Sequence, residues 1–524
     1  MMNFLKHKIL VPVVALCAAA FCVQPLFAQK QADTLSFWLM DNGLGSQKTV
    51  QKIVKKFQKE TGVAVNVRQL NWGQAFDEIS KAFEGKAENA PDVLQLGSTW
   101  VAHFAAAKKI RSVDFMMDRM DSSRFFAEGF KNTHIADEPG SYSAPWFLDV
   151  RALYANERLW NDLGIQKEDV DSYPQFLGVL RGVAETELKT SKGEPVAPFG
   201  LPGKDDWTGP QQMAPFVWSY GGDFIARDSL GLRSALLDSN TLFGLAAYLK
   251  VLGDAGMAPY SLSENSVQNA NRYIQARQLF LCGTSELIRK MAFSIEEGGL
   301  KATPIAEDGI MVVPPPAGPA GRISFVGGSH LAMPVKRNTS KYALAENLFM
   351  FLLQANNIDA YSRSIGFLPA DKSIVRIWNQ DERYSTLVES LENGRAFPNI
   401  PEWGTIEGVL IHMSNEMGAA LSTTKDPSER RHKLAELIMK AHADINQILK
   451  YKGELPAEGV AMVEGILVKD IPEVVPSNLQ QLAAAVKNSA QDVSTTNPAL
   501  VIVLVLSVLG CVAFTIRRYT LRDE

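Results

Sequence analysis

Thr34-Leu35-Ser36-Phe37-Trp38-Leu39, then Val63-Ala64-Val65-Asn66-Val67, then Pro91-Asp92-Val93-Leu94-Gln95-Leu96: these three short runs, and what lies between them, decide the fold. The first reads as a strand. After it, Val50, Ile53, Val54 and Phe57 recur at helical spacing with lysines on the opposite face, the pattern of an amphipathic helix. Gly62 ends that helix, and Val63, Val65 and Val67 alternate as strand residues do. A second helical run, Phe76 to Phe83, leads through Pro91-Asp92 into a buried strand, Val93 to Leu96. Strand, helix, strand, helix, strand predicts an α/β fold with a largely parallel sheet. Ligands of such sheets bind beyond the carboxyl ends of the strands. The loops Asp41 to Gly45, with Asn42 in it, and Gly97 to Trp100 occupy those ends.

Outward from this unit, 524 residues are too many for one ordinary core and imply at least two domains. The net charge of -4 gives no electrostatic case for nucleic acid. At the N-terminus, Lys6, His7 and Lys8 precede the apolar stretch Ile9 to Phe21 and then Pro25-Leu26-Phe27-Ala28. Residues 1–28 read as an export signal cleaved before Gln29, with an uncleaved anchor as the alternative. Neither Cys17 nor Cys22 follows the small residues of a lipoprotein signal. Ala499 to Ile516 carries no charge; at about 1.5 Å per residue it nearly spans a hydrocarbon core. Asn497-Pro498 precedes it, and Arg517, Arg518 and Arg522 follow. The positive-inside rule then places residues 517–524 in the cytoplasm and the bulk of the chain outside. Cys282 is the one cysteine left between the two apolar ends, so no disulfide or zinc ribbon is available there.

The middle section, about 150 to 320, is more helical. Gly and Pro punctuate it at Pro195 to Gly203, Gly221-Gly222 and Pro314-Pro315-Pro316. Residues 470 to 498, with Pro472 and Pro476, read as a stalk.

Six segments, weak singly, make a pattern by their order and spacing. They are Pro91 to Trp100; Ala144-Pro145-Trp146-Phe147-Leu148-Asp149-Val150-Arg151-Ala152-Leu153-Tyr154-Ala155-Asn156; Trp218-Ser219-Tyr220-Gly221-Gly222; Val326-Gly327-Gly328-Ser329-His330-Leu331-Ala332-Met333-Pro334; Gly366-Phe367-Leu368-Pro369-Ala370; and Pro398-Asn399-Ile400-Pro401-Glu402-Trp403. Over roughly residues 33 to 450 the chain resembles the family 1 extracellular solute-binding proteins, the group that includes maltose-binding protein. The resemblance implies a two-lobed periplasmic-binding-protein fold with multiple hinge crossings and a ligand held in the cleft. Approximate bounds are 29–145 and 325–368 for lobe 1, 146–324 and 369–455 for lobe 2, a stalk at 456–498 and a transmembrane helix at 499–516. It further implies the substrate-binding component of an ABC importer, which captures a sugar or oligosaccharide and docks on permease subunits. A membrane-tethered sensor is the alternative, and a carbohydrate-active enzyme a more distant one. The terminal span and the missing lipoprotein cysteine depart from the common pattern, and concern anchoring only.

A sugar presents apolar C–H faces and a rim of hydroxyls, so its site needs aromatic faces and planar polar groups. Trp72, Trp100, Trp146, Trp207 and Trp403 lie beside Gly, Ser, Thr, Pro or acidic residues, as in loops; Trp38, Trp160, Trp218 and Trp378 sit in strand or helix patterns and read as core. At least two of the loop set are expected to stack on ligand. Asp149 and Arg151, two apart in an extended segment, point to one side; they form either a hydrogen-bonding pair for sugar hydroxyls or an ion pair at a hinge. Ser98 and Thr99 bind ligand or cap a helix. Gly327-Gly328 permits close backbone approach to ligand or a sharp crossing between lobes, placing Ser329 and His330 near the cleft. No GxSxG, HExxH, Walker A loop or zinc-spaced Cys/His set occurs, so no catalytic residue, metal or cofactor is expected.

Overall fold

The computed structural model of the protein describes residues 34–495, except 44, 86–89, 191, 337–338, 379 and 455. Strand β1 (Thr34–Met40) pairs in parallel with β2 (Ala64–Leu70) on one side and β3 (Val93–Gly97) on the other. The Ser46–Thr61 helix crosses between the first two. Its Val50, Ile53, Val54 and Phe57 are buried, and Gly62 closes it in the left-handed conformation, φ 77°, with its N–H on the Gln58 carbonyl. The sheet continues through β4 (Ser143–Val150), and its full order is β12-β4-β11-β3-β1-β2. Here β11 is Val326–Ala332 and β12 is Leu368–Pro369. β11 runs antiparallel to both β3 and β4. One apolar layer, with Phe37, Phe57, Trp146 and Phe349, covers one face, and another, with Trp38, Leu94, Leu96 and Phe104, covers the other. Burial on both faces explains why β3 reads as a continuous apolar run.

A second sheet, β10-β5-β9-β6, is built from β5 (Ala152–Asn156), β6 (Ala197–Gly200), β9 (Gln278–Gly283) and β10 (Ile310–Val313). A small hairpin, β7 (Ile225–Asp228) and β8 (Gly231–Ser234), stands apart from it. The helices Tyr173–Glu185, Gly209–Ser219, Ser239–Gly253, Trp403–Thr423 and Pro427–Ile448 close a separate core around Phe176, Trp218, Tyr248 and Trp403. The chain thus makes two lobes. It passes from the first to the second at Arg151, returns between β10 and β11, and leaves again after the Glu382–Glu392 helix.

Three expected boundaries move. β4 continues unbroken to Val150, so the first crossing lies beyond Val150 and not after Pro145. Past Leu368 the chain does not leave lobe 1 at once: Ile374 and Val375 pack beside β12, and the next helix, with Leu387 and Leu391, lies against strands of both sheets. Residues 456–498 are not a free stalk over the described part, because Val463, Ile471 and Leu479 are buried in lobe 2. Pro472 and Pro476 turn the chain between the Gly459–Leu467 and Ser477–Thr495 helices. Gly327-Gly328 lies within β11, and no crossing occurs there. Gly328, at φ +143°, lets β4 approach; a Cβ would stand 2.4 Å from the Phe147 carbonyl oxygen. The export signal at 1–28, the apolar stretch 499–516 and the tail 517–524 lie outside the described residues. Among the described residues no helix is long and apolar enough to cross a membrane.

Lobe 2 contains several close backbone approaches at glycine, and one of them seats the Trp403–Thr423 helix. A Cβ on Gly418 would stand 1.9 Å from the Gly203 carbonyl oxygen, backbone against helix. Gly418→Ala is therefore expected to destabilise lobe 2 by about 1–3 kcal/mol, read as a lower Tm with faster amide exchange in lobe 2 than in lobe 1.

Candidate functional site

The carboxyl ends of β1, β2 and β3 converge on one hydrogen-bonded cluster. Gln95 sits in β3 at 0% exposure, where its amide has no water to turn to. Its Oε1 accepts from the Met40 N–H (3.0 Å) and from Asn42 Nδ2 (3.0 Å). Its Nε2 donates to Ser329 Oγ (2.7 Å) and Asn42 Oδ1 (3.3 Å). Asn42 Nδ2 also donates to the Tyr361 hydroxyl (2.7 Å), and Trp72 Nε1 donates to Asn42 Oδ1 (3.3 Å). Burial holds the Tyr361 phenol well above its usual pKa, so it stays protonated. Its ring stacks on Trp146 with centroids 4.1 Å apart and planes within 5°. Trp100, in the 98–100 turn after β3, meets Trp72 at 5.6 Å and Phe76 at 5.4 Å, edge to face. The structure thus joins Asn42, Trp72, Trp100, Trp146 and Ser329, picked from five separate segments, through two residues the sequence reading missed, Gln95 and Tyr361.

Trp72 and Trp100 are partly exposed at the rim of this cluster. Trp146 is not in a loop. It lies in β4, between β11 and β12, and is 1% exposed, with Tyr361 over one face and Phe37 at 6.0 Å. Trp403 is likewise core: it opens a helix and packs against Phe397 at 4.7 Å with no exposure. Turn-forming neighbours mark where a chain bends, and a bend can face inward. Trp207, at 62% exposure, is in a loop as expected. Ser98 is buried and Thr99 partly so, and neither provides a side-chain cap. His330 is buried in lobe 1, its Nδ1 2.9 Å from Ser143 Oγ; burial pulls its pKa down to about 3, so it stays neutral.

Asp149 and Arg151 face each other across the first crossing, 3.6 Å apart. Arg151 Nη2 reaches into lobe 2 and donates to Gln211 Oε1 at 2.7 Å. Asp149 Oδ1 and Arg151 Nε have no hydrogen-bond partner among the described residues. Desolvation raises the Asp149 carboxyl, Arg151 opposes that shift, and Glu286 adds to it.

Lobe 2 carries further candidate residues. Trp207 is held from behind by Asp206, whose Oδ1 accepts from the Thr208 N–H (2.7 Å) and Oδ2 from the Ser266 N–H (2.5 Å). The 98–100 turn packs against the Trp403–Thr423 helix, and His103 Nδ1 lies 3.4 Å from the Pro401 carbonyl oxygen. On that helix Gly404 and Gly408, one turn apart, have open space where side chains would stand. Glu407 lies beside them, with no hydrogen-bond or ionic partner among the described residues, and desolvation lifts its carboxyl to about 7. Gln95 left a visible signal, a lone carboxamide in an apolar strand. Tyr361, Gln211 and Glu407 left none, since helices throughout the chain carry such residues. Concavities of about 620, 340 and 530 Å³ lie apart from these residues, around Gly221 to Asn240, around Arg289 and Tyr384, and around Asp137 and Asn399. No cluster of three or more His, Cys, Asp or Glu side chains fit to hold a metal occurs among the described residues.

Two α/β lobes joined by repeated crossings, with polar and aromatic groups gathered at the carboxyl edge of the first sheet, define a two-lobed solute-binding fold. Residues 42–337, more than half the chain, match the bacterial extracellular solute-binding protein family, and the chain belongs to that family. It is 24% identical over 382 residues to the diacetylchitobiose binding protein DasA of Streptomyces coelicolor, covering 72% of this chain and 82% of that one. In fold it is similar to the GacH receptor of Streptomyces glaucescens (TM-score 0.64, 20% identity, 80% of this chain and all of that one). It is similar to the same degree to maltose-bound MalE3 of T. maritima (TM-score 0.64, 16% identity, 80% and 100%).

Glu407 gives the fold a pH dependence whose sign is fixed. Its folded pKa, about 7, lies above the unfolded value of 4.5. Its contribution to stability is full below 4.5 and is lost as pH rises through 7. Glu407→Gln is expected to match the parent's Tm at pH 4 and to exceed it by a margin that grows to pH 7 and then levels. A margin independent of pH in thermal melts refutes this.

Proposed function

We propose that the protein captures a sugar or oligosaccharide between its lobes and delivers it to the permease of an ABC importer. The observation that carries this is the placement of three indoles. Trp72 and Trp100 stand at the rim of lobe 1, and Trp207 stands exposed on the lobe 2 loop fixed by Asp206. Apolar faces of this kind, among amides and carboxylates, suit a ring with C–H faces and a hydroxyl rim. The known relatives include proteins named for binding diacetylchitobiose and maltose. Asn42, Ser98, Thr99, Asp149 and Arg151 supply polar contacts in this reading, with Gln211 and Glu407 added from lobe 2. Trp146 and Ser329 act behind the surface by fixing Tyr361 and Gln95. Ligand that touches both walls stabilises the closed arrangement, and closure turns about the three crossings. The ligand is released unchanged.

The binding lobes work outside the cytoplasm, with residues 1–28 as the export signal and 499–516 as a single membrane anchor. A reporter fused after Glu524 is expected to be active only on the cytoplasmic side; external activity overturns the anchoring. The binding reading is tested by calorimetric titration with a panel that includes diacetylchitobiose, maltose and acarbose. Trp207→Ala is expected to weaken the ligand found by roughly tenfold or more, about 1.4 kcal/mol, with Tm unchanged because the indole is largely solvated. Unaltered affinity removes Trp207 from the site, and absence of binding across sugars overturns the ligand class.

A further inference from the structure

The residues after Tyr451 lie outside the candidate binding site. From Gly459 onward the described contacts are with lobe 2, and they are built rather than incidental. Two glycines in the Tyr173–Glu185 helix make room for the incoming chain. A Cβ on Gly178 would stand 2.0 Å from the Val474 carbonyl oxygen, and one on Gly182 would stand 2.8 Å from Leu479 Cβ. The Val474 N–H donates to the Pro174 carbonyl at 2.8 Å, and Asn478 Nδ2 donates to the Leu163 carbonyl at 2.7 Å. Glu473 accepts from Arg181 Nε at 3.1 Å and pairs with Lys250 Nζ at 2.9 Å. Its carboxyl is held below the usual value by Arg181 and Lys250 against the opposing effect of desolvation. Ile471 and Leu479 complete the docking in the lobe 2 core. The partners come from lobe 2 helices and none of these contacts spans the crossings, so the docking leaves hinge motion free.

We propose that residues 459–487 form a strap that fastens the C-terminal part of the chain rigidly to lobe 2. Lobe 2 is then the fixed lobe and lobe 1 the one that swings. On the anchoring proposed above, on which this consequence rests, the tether bears on lobe 2 alone. A tether held on one lobe keeps the chain anchored without competing with closure. A flexible stalk leaves both lobes free to tumble against it.

Distances between spin labels in the full chain test this without a ligand. With the native cysteines replaced by serine, labels are placed at the exposed positions Lys59→Cys in lobe 1, Asn161→Cys in lobe 2 and Gln481→Cys in the strap. The 161–481 distribution is expected to be single and narrow, and the 59–481 distribution to match 59–161 in width. A broad 161–481 distribution shows a free stalk. A 59–481 distribution narrower than 59–161 shows a strap that travels with lobe 1. Either result overturns the proposal. Gly178→Ala is the release variant: it favours its own helix but blocks the Val474 carbonyl. It is expected to broaden 161–481 while 59–161 stays as in the parent; an unchanged 161–481 distribution places the fastening elsewhere and overturns the docking described.

Discussion

A carboxamide in the middle of a sheet buried on both faces must find four hydrogen-bonding partners inside the protein, and lobe 1 is arranged around that requirement at Gln95. Each polar atom left unmatched there costs about 1–3 kcal/mol. The partners come from the end of β1, the loop after it and β11. Those segments lie 53 to 234 residues away in sequence. Satisfying one amide therefore fixes the register of three strands and the position of Asn42. Asn42 in turn holds the Tyr361 hydroxyl and the Trp72 N–H, and Tyr361 holds Trp146. The rim that carries Trp72 and Trp100 is rigid because the network beneath it is satisfied.

The second constraint is the first crossing. Val150 ends a strand of one sheet and Ala152 begins a strand of the other, leaving Arg151 alone between lobes. It bonds toward both, to Asp149 and to Gln211. Asp149 Oδ1 and Arg151 Nε keep unused hydrogen-bonding capacity in a poorly solvated place, where a polar solute group gains more than it would in water. The ion-pair and ligand-contact readings of this pair are therefore compatible: the same geometry braces the hinge and offers an acceptor and a donor to the cleft.

Much of the fold was legible because backbone periodicity is local. The helix of Val50, Ile53, Val54 and Phe57, its stop at Gly62, the strands on either side and the parallel order of β1, β2 and β3 follow from spacings of two and of three to four residues; the sheet as a whole is not largely parallel as expected, because β4, β11 and β12, brought in from distant parts of the chain, pair antiparallel. Lobe boundaries were less legible, because a lobe is a set of packed surfaces. Leu387 and Leu391 lie against strands of both sheets, and Ile471 and Leu479 join lobe 2, through contacts with residues far away in the chain. Proline at 472 and 476 looks the same in a linker and in a tight turn between docked helices.

The sequence by itself determined the α/β class, the repeated crossings implied by its family resemblance, and the edge of the sheet at which a site must lie, since strand direction follows from the order of elements. It determined that Asn42, Trp72, Trp100 and Trp207 belong in loops or at element ends. Only the tertiary structure decided which indoles face outward. Trp146 and Trp403 have turn-like neighbours as Trp207 does, yet Tyr361 and Phe397 cover them, and among the described residues no ring is stacked on Trp207. Solvent exposure depends on what the rest of the chain brings to a side chain. For Trp146 that partner lies 215 residues downstream (361 − 146), a separation that no local pattern encodes.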